Sequence, residues 1–120
     1  MPSEQNKQIA LRWFGAFNTH NLDALLALYH NDAQHYSPKL KLRHPKTKGL
    51  IKGKEALREW WQDAFNRLPS LRYEMLALTA DKGQVFMEYL RHVDGEEDLR
   101  VAELLVVEDD KIIASRVYHG

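Results

Sequence analysis

The chain has 120 residues, 44% of them hydrophobic, and its 17 basic residues are balanced by 17 acidic ones. This length predicts a single domain over residues 1–120, and the apolar share supports a packed core rather than disorder. The zero net charge gives no general attraction to nucleic acid or to a membrane surface, and the lack of cysteine excludes disulfides and thiolate metal sites.

The first residues, MPSEQNKQIALRW, are polar and lack the apolar centre of a signal peptide. No apolar run approaches the length that crosses a bilayer. We therefore expect a soluble, cytoplasmic protein with no membrane partner.

Two helices are predicted at the start of the chain. The first runs from about Glu4 to Phe17, where apolar residues recur at helical spacing. Asn21 is well suited to cap the second helix, because its side chain can accept a hydrogen bond from the first turn. The apolar face of that helix is formed by Leu22, Leu25, Leu26 and Tyr29.

A short strand from Ala33 to Ser37 is predicted next, and Pro38 closes it. Side chains alternate along a strand, so His35 and Ser37 share one face while Gln34 and Tyr36 share the other. This strand would place His35 and Ser37 toward the inside of the fold.

The segment from Lys39 to Lys54 carries seven basic residues and no acid. Its KLKLRH run alternates, which indicates that part of it is an edge strand, where lysines discourage aggregation. Two interpretations of the charge stay open. The segment is either a solvated edge or loop, or an anion-binding rim.

A third helix is predicted from about Lys54 to Leu68, with an apolar stripe that includes Trp60 and Trp61. From Leu71 onward the apolar period is two, and turn signals divide the rest into four strands. Short turns between neighbouring strands indicate an antiparallel meander. Three helices in the N-terminal half followed by an antiparallel sheet predict an α+β domain.

Three stretches, AFNTHNLDALLALYHNDAQHYSP, IKGKEALREWW and DDKIIASRVYHG, resemble the SnoaL-like family of the nuclear transport factor 2-like superfamily in their order and spacing. The resemblance covers nearly the whole chain. It implies a cone, in which a strongly bent antiparallel sheet wraps around the helices and leaves a pocket at its open end. The superfamily includes ketosteroid isomerase, limonene epoxide hydrolase, scytalone dehydratase and polyketide cyclases, as well as non-catalytic domains, so the fold does not determine the function.

The resemblance to ketosteroid isomerase allows a comparison of site positions. The position of its aspartate base is Ser37 here, which is no base near neutral pH, and the position of its tyrosine is Trp13, whose indole N–H only donates a hydrogen bond. The position of its protonated acid is Glu103, which keeps a carboxyl group. Its pocket tryptophan falls at His119. One of three catalytic positions keeps its chemistry, which argues against the isomerase mechanism in its known form.

Limonene epoxide hydrolase gives a weaker match, because its arginine and aspartate fall at Tyr89 and Arg91. The resemblance still places both residues inward. Glu103 would share that interior with them, and Arg91 is then its candidate ion-pair partner. His35 would face the same cavity, so that His35 and Glu103 form a candidate base and acid.

Each of these residues has a structural alternative. Glu103 and Arg91 can form an internal ion pair without any catalytic role, and His35 can be a hydrogen-bonded pocket residue. The residues predicted to line the pocket are Trp13, Ser37, Trp60, Tyr89, Arg91 and His119. No metal-binding spacing, phosphate loop or nucleophile elbow is present, so no metal and no cofactor is predicted.

Three hypotheses for the function follow. The protein is an acid–base enzyme acting on a small apolar molecule, as an isomerase, cyclase, dehydratase or hydrolase; a binding protein without turnover; or a dimeric interaction domain. The outer row Ala102, Leu104 and Val106 is as apolar as the inner row of the same strand. A strand that is apolar on both faces is buried on both, which predicts a homodimer through the outer sheet face.

Overall fold

The computed structural model describes residues 2–119. The elements in chain order are α1 (Pro2–Asn18), α2 (Leu22–Ala27), β1 (Tyr29–Tyr36), α3 (Pro38–Arg43), a 3₁₀ turn (Pro45–Thr47), β2 (Leu50–Lys52), α4 (Lys54–Arg67), β3 (Arg72–Ala80), β4 (Gln84–His92), β5 (Leu99–Glu108) and β6 (Lys111–His119). None of the helices in this part of the chain is long and apolar enough to cross a bilayer.

The strands form one six-stranded sheet in the order β2-β1-β6-β5-β4-β3. The pair β1–β6 is parallel, and all other neighbouring strands are antiparallel, as the short turns between β3, β4, β5 and β6 predicted. Irregular register interrupts three of these pairs, and such bulges bend a sheet. The sheet is curved and unclosed, with helices in the N-terminal half, which confirms the predicted α+β cone.

Helix α1 packs against β3 and β4. Its aromatic residues meet those of the strands in one cluster, where the rings of Phe17 and Tyr73 stack with centroids 4.2 Å apart and Trp13 lies 5.9 Å from Tyr89. Burying several large rings in one place stabilises the domain strongly, because each contributes a large apolar area and favourable ring geometry. The cluster fixes the inner face of the sheet against α1.

Residues 39–43 of the run KLKLRH lie in helix α3, so its alternation does not mark a strand. Ser37 caps α3 by accepting a hydrogen bond from the backbone N–H of Lys39, and Pro38 occupies the first turn. Proline fits that position because its missing N–H has no helical partner there. The Ser-Pro start is the signal for a helix. The sequence predicts three helices, whereas residues 2–119 contain four α-helices, and α3 is the additional one. The edges of the sheet are β2 and β3, and β2 belongs to the same basic segment, so another part of residues 39–54 is an edge strand as predicted.

The second helix is shorter than predicted. Asn21 caps it as expected, with its Oδ1 accepting from the N–H of Ala24, but the helix ends at Ala27. Tyr29 is therefore the first residue of β1 rather than part of the helical face, although it is fully buried. This change brings its hydroxyl group into the interior of the sheet.

Candidate functional site

A cavity of about 250 Å³ opens between the inner face of the sheet and helices α3 and α4. Its floor is aromatic and includes Trp13, Phe17, Trp61, Tyr73 and Tyr89. Pockets for drug-sized ligands usually have about 300–1,000 Å³, so this volume favours a small ligand.

All eight residues that the sequence singled out lie on the wall of this cavity. His35 and Ser37 reach it from the end of β1, Tyr89 and Arg91 from β4, Glu103 from β5, His119 from the end of β6, Trp13 from α1 and Trp60 from α4. The alternation along β5 is as expected, with Val101, Glu103, Leu105 and Val107 buried. These positions are geometric facts; the catalytic roles of His35 and Glu103 stay predictions.

Glu103 is 1% exposed in a largely apolar row. The hydroxyl of Tyr89 donates a hydrogen bond of 2.7 Å to its Oε1, whereas Oε2 is buried and has no hydrogen-bond partner among residues 2–119. Burial raises the pKa of Glu103 to about 7, and the hydrogen bond from Tyr89 opposes this only in part. The side chain therefore exchanges its proton near neutral pH, which is unusual for a carboxyl group.

The predicted ion pair between Glu103 and Arg91 is wrong. The guanidinium of Arg91 pairs instead with Glu96 in the β4–β5 turn, at 3.0 Å. In the hairpin register Arg91 lies opposite Leu99, while Glu103 lies opposite Met87. Arg91 is therefore four residues away from Glu103 along the sheet, roughly 13 Å at the rise of a strand.

His35 is held by a chain of buried hydrogen bonds. The indole N–H of Trp13 donates to Tyr29 Oη at 3.1 Å, Tyr29 Oη donates to Ser115 Oγ at 3.0 Å, and Ser115 Oγ lies 2.7 Å from His35 Nδ1. The ring of His35 also packs against Trp61, with centroids 5.1 Å apart. Burial lowers the pKa of His35 to about 3, so the imidazole is neutral at all ordinary pH values.

The direction of this chain assigns the tautomer of His35. An indole nitrogen can only donate, so the hydroxyl hydrogen of Tyr29 is left for Ser115. Ser115 then uses its own hydrogen for His35 Nδ1, because donation by Nδ1 would leave the hydroxyl hydrogen of the buried Ser115 without an acceptor among residues 2–119. In this tautomer His35 carries its hydrogen on Nε2 and offers the cavity a hydrogen-bond donor.

The same chain changes the role of Trp13 and adds two residues that the sequence interpretation missed. Because the indole N–H is bound to Tyr29, it is not available to a ligand. The sequence predicts Tyr29 on the apolar face of a helix and gives no role to Ser115. The alternation along β6 held the signal for Ser115, since it is a polar residue on an inward row.

The mouth of the cavity differs from its floor. Lys39, Arg43, Arg67 and Arg91 lie there with a single acid, Glu96. Burial, and after it repulsion from Arg91, lowers the pKa of Lys39. Burial, and after it the positive charges of Lys39 and Arg91, lowers the pKa of His119. Two of the cations thus come from the basic segment 39–54, whereas Lys41, Lys46, Lys48 and Lys52 are exposed and lie off the cavity wall.

No three metal-ligating side chains converge within the described part of the chain. The site is defined by a cone-shaped α+β fold whose aromatic cavity is lined by one buried acid, Glu103, and one buried histidine, His35. These are the features of a small pocket domain.

The chain belongs to the SnoaL-like family, because the family model described as "SnoaL-like domain" matches residues 10–115. No functionally curated protein matches the chain. Solved structures match over almost the full length. A SnoaL-like protein of unknown function from Burkholderia thailandensis is 24% identical, with a TM-score of 0.87 over 98% of this chain and 95% of that one.

Two further structures carry functional descriptions. A candidate ketosteroid isomerase from Kribbella flavida is 19% identical, with a TM-score of 0.81 over 98% of this chain and 79% of that one. A candidate polyketide cyclase from Xanthomonas campestris is also 19% identical, with a TM-score of 0.81 over 100% of this chain and 93% of that one. At these identities the likeness establishes the fold alone.

Proposed function

We propose that the protein binds a small apolar carbonyl compound in the cavity and catalyses a proton transfer on it. The observation that carries the proposal is Glu103, whose buried Oε2 lacks a partner on the wall of an aromatic cavity. A buried polar atom without a partner is costly, and in native proteins such atoms concentrate where a ligand or a reaction uses them.

In this proposal Glu103 is the general acid and base. With a pKa of about 7 it is half ionised at neutral pH, so it takes a proton from the carbon next to a carbonyl group and returns it to another atom of the same molecule. The bond from carbon to hydrogen breaks as the carboxyl O–H forms, and the electron pair moves onto the carbonyl oxygen. The proton returned in the second step restores the carboxylate, so no other reactant is consumed.

His35 would stabilise the negative charge on that oxygen. Its Nε2–H is a neutral donor whose orientation is fixed by Ser115, and a fixed donor in a dry site stabilises a developing charge without reorganising. In the sequence-based hypothesis His35 is the base and Glu103 the acid. In this proposal Glu103 has both roles and His35 donates a hydrogen bond.

The test uses two apolar ketones, tetralone and cyclohexanone, in deuterated buffer. NMR measures how fast the hydrogens beside the carbonyl exchange with solvent. We expect the protein to accelerate this exchange and Glu103→Gln to reduce the rate by at least about 100-fold, the lower range for a general acid–base group. Lys82→Gln, in the exposed β3–β4 turn, is the control and should keep the full rate.

Saturable binding of both ketones without accelerated exchange would contradict the proton transfer and leave a binding protein. If the wild type accelerates the exchange and Glu103→Gln accelerates it equally, a group other than Glu103 transfers the proton. Calorimetry of ketone binding by Glu103→Gln separates these cases, because the isosteric amide preserves the shape of the cavity.

We also propose that the protein is a homodimer through the outer face of the sheet. Phe86 and Tyr118 are 49% and 50% exposed there, and Phe86 pairs in register with Leu104. Contiguous apolar side chains on one sheet face favour a second subunit as their cover.

A further inference from the structure

The cations at the cavity mouth are in excess over the acids beside them. Four of them line the mouth: Lys39, Arg43, Arg67 and Arg91. Two carboxylates are close enough to pair with these, since Asp63 lies 3.8 Å from Arg43 and 2.7 Å from Arg67, and Glu96 lies 3.0 Å from Arg91. Four cations against two acids leave two positive charges uncompensated, although the chain as a whole is neutral.

Of the four cations, Arg91 gives the strongest argument for an anionic ligand. Its side chain is only 9% exposed, and its guanidinium makes one hydrogen bond among residues 2–119, to Glu96. A guanidinium has five N–H donors in a planar fork, and a buried one is costly unless those donors are used. The bond to Glu96, itself 48% exposed, uses one of these donors, so most of the fork has no partner among residues 2–119.

Lys39 is one of the two uncompensated charges, and the other arises because Arg43 and Arg67 share Asp63. Ion pairs hold Arg43, Arg67 and Arg91 within the described chain, but none holds Lys39. Its side chain is half-buried at the start of α3. Burial, and after it the charges of Arg91 and Arg67, lower the pKa of Lys39, and the charge of Glu96 opposes them in part. Bringing like charges together costs free energy, and an anion placed between them recovers it.

From this arrangement we infer that the natural ligand is an apolar ring compound with a carboxylate group, whose carboxylate lies between Arg91 and Lys39 while its ring lies on the aromatic floor. A carboxylate fits the planar fork of arginine with two parallel hydrogen bonds. The inference rests on the proposed function, because it requires that the cavity receives a ligand, and it specifies the class of that ligand.

The charge at the mouth also decides how such a ligand arrives. An excess of positive charge around an opening raises the local concentration of anions, and salt screens this attraction. Neutral compounds of the same shape gain nothing from it. A matched pair of probes therefore isolates the contribution of the mouth from that of the aromatic floor.

The test compares naphthoate with naphthamide, its neutral isostere, by isothermal titration calorimetry at low and at high salt. We expect naphthoate to bind about tenfold tighter at low salt, which corresponds to one charge-assisted contact, and to lose most of this preference at high salt. Lys39→Gln should weaken naphthoate severalfold and leave naphthamide unchanged. Lys41→Gln removes the same charge from the same helix at an exposed position off the cavity wall, and should change neither.

Glu96→Gln gives an effect of opposite sign. It removes the carboxylate that competes for Arg91, so naphthoate should bind severalfold tighter while naphthamide stays the same. If the pair of Arg91 and Glu96 only supports the turn, this variant would lower stability without raising the affinity for naphthoate.

Equal affinities of the wild type for the two probes would overturn the inference, and so would binding of neither. Equal effects of Lys39→Gln and Lys41→Gln would overturn it as well. These outcomes do not touch the proposed proton transfer, which is measured by exchange on neutral ketones. Failed exchange with a clear preference for naphthoate would refute the chemistry and retain the ligand class.

Discussion

Leu104 and Leu105 are neighbours on β5, but they belong to different regions of the molecule. Leu105 faces inward in the row of Glu103 and is 0% exposed, whereas Leu104 faces outward and is only half-buried by the strands beside it. The inner face is closed by α1 and the cavity, and the outer face is closed by nothing within residues 2–119. Apolar residues alone therefore do not distinguish the two faces; what each face packs against does.

The two faces also treat polar groups differently. The inner face buries Glu103, His35 and Ser115, and each of them receives or makes a specific hydrogen bond. The outer face carries its charged groups at the surface, as in the pair of Arg100 and Glu88 at 3.2 Å, both of them exposed to solvent. Removing or protonating a polar group on the inner face should consequently change the free energy of unfolding more than the same change on the outer face.

The largest effect is expected from Leu105→Ala. Truncating a fully buried leucine removes apolar contact and leaves a cavity, which costs about 2–5 kcal/mol of unfolding free energy. Leu104→Ala is the matched control from the outer face, where the loss should be smaller because Leu104 is only half-buried within its own subunit. Urea melts of both variants measure the difference. Equal losses would mean that the two faces are equally buried.

Glu103→Gln should show the next largest effect on stability, and the size of this effect depends on pH. The pKa of Glu103 in the folded protein, about 7, lies above its ordinary value of 4.5, so folding favours the protonated form. The stability that this preference contributes is complete below about pH 4.5 and is lost as the pH rises through 7. Glutamine does not titrate, so the variant gains on the wild type by roughly 2–3 kcal/mol between pH 5 and pH 8.

Urea melts of wild type and Glu103→Gln at both pH values test this prediction. His35 has the opposite dependence: its lowered pKa gives stability above pH 6.5 that is lost as the pH falls toward 3. Both proteins keep His35, so its contribution cancels in the comparison. A difference that is the same at both pH values would show that Glu103 has an ordinary pKa.

Tyr29→Phe should cost about 1–3 kcal/mol, the usual penalty for leaving a buried donor without a partner. The substitution removes one hydroxyl, and with it the acceptor of the Trp13 indole and the donor to Ser115. Tyr36→Phe is its control on the other face of β1 and should change stability by less than about 0.5 kcal/mol. If both variants melt alike, the buried chain contributes no more than a surface hydroxyl.

The fold was predictable because its signals are local. The alternation along β5 and the turn signals between strands depend on residues next to each other, and they gave both the antiparallel order and the inward side of Glu103. The strand prediction for the run KLKLRH was wrong because alternating leucines satisfy a strand pattern. In the helix Leu40 is buried in the core, whereas Leu42 is 79% exposed. Only the Ser37 cap with Pro38 distinguished the two.

The partners within the site were less predictable, because a period of two gives the face of a residue and not its distance from another. Counting outward from the turn at Gly95 places Glu103 opposite Met87, and this count would have excluded Arg91 as a direct partner. The hydrogen bond from Tyr89 and the chain through Ser115 depend on the packing of β1, β4, β5 and β6 together. No local pattern encodes that packing.

Leu104→Lys should have the smallest effect on the folded subunit and a clear effect on its association. The wild type is expected to sediment at twice its subunit mass of 14.0 kDa, since a second copy is the simplest cover for Leu104, Phe86 and Tyr118. A lysine at this outward position extends into solvent in the monomer, where its long side chain costs little, but places two unpaired charges in a symmetric interface. Analytical ultracentrifugation at micromolar concentration should therefore give dimer for the wild type and monomer for the variant, with nearly equal far-UV circular dichroism. Arg100→Gln, at the rim of the same face, should leave the dimer intact because exposed ion pairs contribute little. If the wild type sediments as a monomer, no second subunit covers the outer face. The difference between Leu104 and Leu105 would then not be a difference between a subunit interface and a core.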